Sequence, residues 1–282
     1  MSKDLQWFPA PGKLNLFLHV VGRRPDGYHL LQTVFRLIER ADRVGVRVRS
    51  DGRIVRALET PGIPEADDLC LHAAIKLKQR SGTPHGAEIA LEKVLPVGGG
   101  IGGGSSDAAT VLIVLNRMWD LRLSRAELLQ LAVELGADVP GFVFGGNALG
   151  EGIGERLTAL SLPPAWYLVL TPQVSVSTKE IFAHRALTRD SKTLKLPPFF
   201  AGQGRNDLES AACDLYPVVA EHLAWLRQHG DARMTGSGGC VFAGFASESD
   251  ARSVLGQLPP NMKGFVTRGL ERHPLADWIP DR

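Results

Sequence analysis

Residues 96–107 read PVGGGIGGGSSD, and six of the seven positions from Gly98 to Gly104 are glycine. Ser105, Ser106 and Asp107 then supply cap-type residues, and 108–119 is apolar almost all round, which predicts a buried helix. A glycine run that feeds a buried helix is an anion site on physical grounds. Glycine lets successive backbone N–H groups turn inward as a concave nest, and the helix start adds unpaired donors and a positive dipole end. Phosphate oxygens satisfy both. The bland alternative is a flexible surface loop, but six glycines beside a buried helix would then lose chain entropy on folding for no return.

Three phosphate-binding patterns compete for this loop. A Walker A loop ends in Gly-Lys-Ser/Thr, and here Gly104 stands where the lysine belongs. A protein-kinase reading needs HRD and DFG downstream, and neither tripeptide occurs. The dinucleotide fingerprint can be laid over Gly98, Gly100 and Gly103, although the apolar strand it expects is interrupted by Lys93 and Pro96. It stays as the alternative.

Outward from the loop, 14–21 (LNLFLHVV) and the strictly alternating 43–49 (RVGVRVR) predict strands, and 87–91 a strand that leads into the glycines. Residues 67–81 predict a helix with Asp67 or Asp68 near its start. Ser124 with Glu127 forms a capping box, and Gly136 stops the helix that follows. A proline pair at 163–164 places a domain boundary near 160, giving domains 1–160 and 161–282. Beyond it, helices are expected at 180–187, 208–228 and 247–255, and strands at 239–245 and 264–268. The stretch 197–205 (PPFFAGQGR) reads as either an active-site loop or a connector. Strands and helices mixed without a βα repeat predict an α+β fold.

The composition bounds what this can serve. The chain has 282 residues, 44% hydrophobic and 22% charged, and its 32 basic against 30 acidic residues leave +2. That balance excludes a dedicated nucleic-acid binder and leaves room for a local anion site. The first nine residues lack the apolar stretch of a leader, and no run of about 18 apolar residues suggests a membrane span. Three scattered cysteines, Cys70, Cys213 and Cys240, write neither a disulfide framework nor a zinc ribbon, so a reducing cytoplasm is expected. The 31 glycines are about 11% of the chain against an average near 7%. The excess falls at 98–104, 141–154 and 236–244, which suggests backbone brought close to a ligand.

Three ordered segments carry a resemblance: 9–18 (PAPGKLNLFL), 96–107, and 234–245 (MTGSGGCVFAGF). Together they resemble the GHMP kinases. The strings KLNLFLHVVGRRPDGYH (13–29), LPVGGGIGGGSSDAA (95–109), GADVPGFV (136–143) and NDLE (206–209) narrow the match to the branch that phosphorylates a cytidine-diphosphate-linked methylerythritol. The resemblance implies an N-terminal ribosomal-protein-like α+β domain, a C-terminal ferredoxin-like α/β domain, and an active site in the cleft between them. It also implies transfer of the ATP γ-phosphate to the substrate's 2-hydroxyl in the non-mevalonate route to isoprenoid precursors. A GHMP kinase of another small alcohol, or a non-catalytic nucleotide-binding protein, are the competing functions.

From its surroundings alone Asp138, between a helix stop and a proline, is as much a turn residue as a catalytic one. The resemblance assigns it as the catalytic base. It places Lys13 beside Asp138 and the reacting hydroxyl, where a cation would keep the aspartate ionised and stabilise alkoxide character. Asn15 shares the face of Lys13 and is assigned to substrate. Tyr28 and His29, after the turn sequence Pro25-Asp26-Gly27, are implied to recognise cytosine. The loop Pro96, Val97, Gly98, Gly99, Gly100, Ile101, Gly102, Gly103, Gly104, Ser105 and Ser106 would cradle the ATP phosphates. Lys93 and Asp68 would lie near the adenine, Asp68 standing where the family's string commonly has asparagine. Mg²⁺ would be held through phosphate oxygens, with the Ser106 hydroxyl as a protein contact. Gly236 to Gly239 would close the site from the second domain.

Overall fold

The computed structural model describes residues 5–196, 199 and 202–281. Two long antiparallel strands, β1 (Gln6–Arg23) and β2 (His29–Arg49), form the spine of the first lobe. β2 also pairs with β4 (Gly86–Glu92) and β5 (Ala148–Gly152), while β3 (Ile54–Arg56) and β6 (Arg156–Ala159) flank these. The expected alternation at 43–49 is present: Val44 and Val46 are fully buried and Arg43 is exposed. Register shifts interrupt β1 between Pro11 and Lys13 and again between Asn15 and Leu18. Bulges of this kind re-aim side chains, here those of Lys13 and Asn15. The Lys13 N–H leaves the ladder and donates to the Ile101 carbonyl at 2.9 Å.

Four helices cover this sheet: α1 (Leu69–Ser81), α2 (Gly103–Met118), α3 (Arg125–Leu135) and α4 (Val139–Phe144). α2 is enclosed by the sheet and the other helices, and all its residues from Ser106 to Asn116 are buried, as an all-apolar helix requires. The Ser124–Glu127 capping box is formed and Gly136 ends α3. α2 starts earlier than its cap-type residues suggested. Gly102, with φ +73°, is the cap and bears no capping side chain, so Ser105, Ser106 and Asp107 lie in the first turns.

The second sheet has the order β10-β7-β9-β8, all antiparallel, from β7 (Trp166–Leu170), β8 (Ala232–Met234), β9 (Val241–Phe245) and β10 (Gly264–Arg268). With α5 (Thr178–Ala183), α6 (Glu209–Leu215), α7 (Pro217–Leu226) and α8 (Glu248–Leu255) this is a ferredoxin-like lobe. The single helix expected at 208–228 is two, because Pro217 has no N–H to continue α6 and instead opens α7. The helix expected at 180–187 runs from Thr178 to Ala183, capped by Ser177. It stops where Arg189 donates to the carbonyls of Phe182 and His184. Strands at 148–152 and 232–234 were hidden in sequence, the first inside a glycine cluster. A Cβ at Gly150 would press on the Phe35 ring, so that glycine serves sheet packing.

The lobes are joined in several places. An apolar seam combines Leu14, Ile38, Leu95 and Ile101 of the first lobe with Tyr167, Val169 and Phe242 of the second. After β10 the chain returns to the first lobe: Leu270 N–H donates to the Leu37 carbonyl, and Leu275 and Ile279 enter the first-lobe core. Fully buried Arg36 meets Glu271 of this returning tail at 3.0 Å. Among the described residues no helix is long and apolar enough to cross a membrane.

Candidate active site

The glycine loop has φ of +71°, +77° and +73° at Gly98, Gly100 and Gly102, the left-handed region at every second residue. Such alternation curls the backbone into an anion-sized concavity. Gly236 to Gly239 pack directly against it: a Cβ at Gly100 would overlap the Thr235 carbonyl, and one at Gly238 would overlap the Gly100 nitrogen. Only glycine fits at this crossing. The first and third glycine groups are therefore two faces of one junction, whereas glycines 141–154 mostly serve α4 and β5.

A groove runs along this junction as a series of chambers. The chamber along the loop, about 290 Å³, is lined by the loop, Lys93, Ser105 and Ser237. At one end it shares Ile63, Leu69 and Gly104 with a second chamber of about 270 Å³, whose wall includes Asp68 and Asp107. At the other end it shares Ser105, Asp138 and Thr178 with a chamber of about 270 Å³ that holds Lys13 and Asn15. That chamber opens past Ile153 and Phe182 into a space of about 560 Å³ lined by Tyr28, His29 and Lys179.

Asp138 stands at the junction of the two middle chambers. Its Oδ2 lies 3.3 Å from Lys13 Nζ, and the lysine side chain is buried while the aspartate side chain is 38% exposed. Asn15 Oδ1 accepts from the same Nζ at 2.5 Å, and Asn15 Nδ2 donates to Thr33 Oγ1 at 2.9 Å. The bulged strand and the turn before α4, far apart in sequence, meet here. Asp138 occupies the helix-cap position of α4 but makes no capping bond with its side chain, which leaves the carboxylate facing the cleft.

Comparison with known proteins agrees with this geometry. The GHMP kinases N terminal domain matches residues 68–146 and the GHMP kinases C terminal domain matches 199–263. A 4-diphosphocytidyl-2-C-methyl-D-erythritol kinase of Nitrosospira multiformis is 62% identical over 96% of the chain and 93% of the relative. One of Thiobacillus denitrificans is 59% identical over 98% of the chain and 99% of the relative. This chain belongs to the 4-diphosphocytidyl-2-C-methyl-D-erythritol kinases. A crystal structure of 4-(cytidine 5'-diphospho)-2C-methyl-D-erythritol kinase superposes with a TM-score of 0.81 at 35% identity, covering 94% of this chain and all of that one. A homoserine kinase from Cytophaga hutchinsonii shares the fold, with a TM-score of 0.69 at 18% identity over 97% and 96% of the two chains.

The kinase brings together Lys13, Asn15, Asp138, Ser105 and the glycine loop, as expected from sequence. Val97 is 70% exposed at the rim. Ser106 is turned away: it is fully buried and its hydroxyl donates to the Pro11 carbonyl at 2.7 Å, so it presents no ligand to a cation in the groove. Ser105 lines the groove in its place. Asp68 and Lys93 line the first two chambers with their charges already committed. Asp68 accepts from Cys70 N at 2.9 Å as the cap of α1 and pairs with Arg56 at 2.6 Å. Lys93 is bound by Asp42 and, at 2.7 Å, by Asp107. Burial pushes the lysine's pKa down, but the two carboxylates more than restore it, while burial raises Asp107 to about 7 against the pull of Lys93.

Tyr28 and His29 sit in the far chamber, Tyr28 exposed and His29 stacked on Phe182 with ring centroids 4.9 Å apart. Burial, then Arg189 and Arg23, lower the His29 pKa, which favours the neutral ring. Phe182 escaped the sequence reading, since a lone aromatic in a short helix carries no signal until β2 is folded against it. The dinucleotide alternative fails on topology: β4, which leads into the loop, pairs antiparallel with β2, and its parallel partner β3 precedes it across α1, so the loop and α2 lie outside that β-α-β unit. Among the described residues no cluster of three His, Cys, Asp or Glu could hold a metal ion.

Proposed function

We propose that this kinase transfers the γ-phosphate of ATP to the 2-hydroxyl of 4-diphosphocytidyl-2-C-methyl-D-erythritol, a step in non-mevalonate isoprenoid precursor synthesis. The observation that carries this reading is the Lys13–Asp138 pair at the meeting point of two chambers. Phosphoryl transfer is chiefly a matter of holding donor and acceptor in line and neutralising charge. The glycine loop and the first turn of α2 take the phosphates, and the adjoining chamber behind Leu69, with Asp68 and Lys93 at its border, takes the adenine. The chamber of Tyr28, His29 and Phe182 takes the cytosine between aromatic faces. The methylerythritol then spans the chamber of Lys13 and Asn15.

Asp138 accepts the proton of the attacking hydroxyl; its exposure to the groove lets the hydroxyl reach it. Lys13, held from behind by Asn15, pairs with Asp138 and faces the developing alkoxide charge. Mg²⁺ brought with ATP would be held mainly by phosphate oxygens and would neutralise their charge; Ser105, which lines the groove, would be its protein contact, since the Ser106 hydroxyl is bonded to the Pro11 carbonyl. We take residues 1–160 and 161–282 as the two domains along the sequence, with the tail after β10 packed back on the first, and place the enzyme in the cytoplasm.

With ATP and Mg²⁺, the purified chain should release ADP only when the diphosphocytidyl substrate is added, and should ignore simpler alcohols that lack the cytidine group. Absence of turnover would sink the reading. Asp138→Asn should lower kcat by about 10²- to 10⁴-fold while the thermal shift on adding ATP persists. Full turnover in that variant would remove Asp138 as the base.

A further inference from the structure

Thr235 is fully buried and touches no chamber of the groove, yet three parts of the site meet at it. Its hydroxyl accepts the N–H of Asn15 at 3.0 Å and donates to the Gly100 carbonyl at 3.3 Å. Its own N–H donates to the Cys240 carbonyl at 3.0 Å. Asn15 is two residues beyond Lys13 on β1, Gly100 is the centre of the phosphate loop, and Thr235 directly follows β8 of the second lobe. The bond from Lys13 N–H to Ile101 ties β1 to the loop, and Thr235 adds the second lobe to the same point.

Asn206 holds Thr235 from both sides. Its amide donates to the carbonyl of Met234 at 2.9 Å and to that of Gly236 at 2.8 Å, and its Oδ1 accepts from Leu208 N. Only a side-chain amide offers two donors and an acceptor in that compass. The segment that carries Asn206 lies along β1, where Leu18 N–H donates to Arg205 and Asp207 N–H to Leu18. Through Asn206 the NDLE string thus anchors the turn 234–236, while its Leu208 lines the chamber of Lys13 and Asn15.

We propose that Thr235, held by Asn206, is a positioning residue for phosphoryl transfer: one hydroxyl sets the separation between the strand bearing Lys13 and the loop that grips the phosphates. This rests on the function proposed above. Bringing a nucleophile and a phosphoryl group into line tolerates little error, a displacement near 1 Å costing on the order of 10²-fold in rate. The hydroxyl is the group that can fail without altering any surface the substrates contact.

Thr235→Val keeps the volume and removes both bonds; Thr235→Ser keeps them. The serine variant should turn over within about threefold of wild type, and the valine variant should lose roughly 10- to 100-fold in kcat with both KM values changed less than about threefold. A merely structural threonine would lower the folded fraction and leave kcat per folded molecule unchanged. Hydrogen–deuterium exchange at the Asn15 amide is the second readout: slow in wild type and Thr235→Ser, faster in Thr235→Val. It requires no turnover, so an inactive wild type would refute the assigned reaction while exchange still judged the clamp. Wild-type kcat in Thr235→Val, or unchanged Asn15 protection, overturns the proposal. If the valine variant does not fold, Thr235→Ala is read by the same two measurements.

Discussion

Lys93, read in sequence as a ligand contact, has a second task in the fold. It lines the groove and is also a strut. Asp42 binds its ammonium and accepts the N–H of Val94 and Leu95, while Asp107 binds it from α2. Neither partner was visible as such, since one lies fifty-one residues upstream and the other in a string read as a cap. Lys13, Asn15 and Asp138 were legible because they stand in ordered motifs; Ser106 was not, because its orientation depends on where α2 begins. The strut has a pH signature. Asp107 has a folded pKa raised from 3.8 to about 7, so between those values the folded chain holds a proton that the unfolded chain releases. Its contribution to stability therefore falls as pH rises through that window. Asp107→Asn has no such proton, and the stability of wild type relative to the variant should decline from about pH 4 to 7 in urea titrations. A constant difference would contradict the shift.

Among elements, the helices with explicit caps were read well and those with hidden constraints were not. Ser124 with Glu127 and Ser247 with Asp250 act within one turn, so their signals are local. The break at Pro217 is also local, but an apolar pattern running through it concealed the interruption. The glycines differ most. Gly100, at φ +77°, would drive a Cβ into the Thr235 carbonyl and the Gly238 nitrogen. Gly104 lies in the first turn of α2 with nothing nearer to a Cβ than Leu69 Cδ1 at 3.9 Å. Replacement by alanine should act in opposite directions: Gly100→Ala costs about 2 to 4 kcal/mol through strain and overlap, and Gly104→Ala gains about 0.5 to 1 kcal/mol of helix stability. Urea midpoints of the two variants check the signs. Equal effects would mean that the glycine count, rather than the crossing with residues 235–238, governs the loop.

At the scale of the molecule, two lobes and a cleft followed from three ordered motifs, but the return of the tail did not. Residues 269–281 have no periodicity, and their ties are to backbone groups, such as His273 N–H to the Gly145 carbonyl and Arg125 N–H to that of Pro280. His273 is buried, with Nδ1 accepting from Leu275 N, and burial lowers its pKa from 6.5 to about 4. Below pH 6.5 the unfolded chain takes up a proton that the folded chain refuses, so this contribution to stability is present above 6.5 and is lost as pH falls toward 4. Its sign is opposite to that of Asp107. His273→Asn preserves an acceptor without a titrating ring, and its Tm should fall less than that of wild type between about pH 7 and 5. An equal fall would place the acid sensitivity elsewhere.

The same tail gives the two lobes an order of completion. A ribosome delivers residues 6–159 first, yet the core they form stays open on one side until Leu275 and Ile279 have been made. All strands of the second lobe exist once Arg268 has been added. The lobe that translation begins therefore draws core residues from a stretch made only after the second lobe's strands.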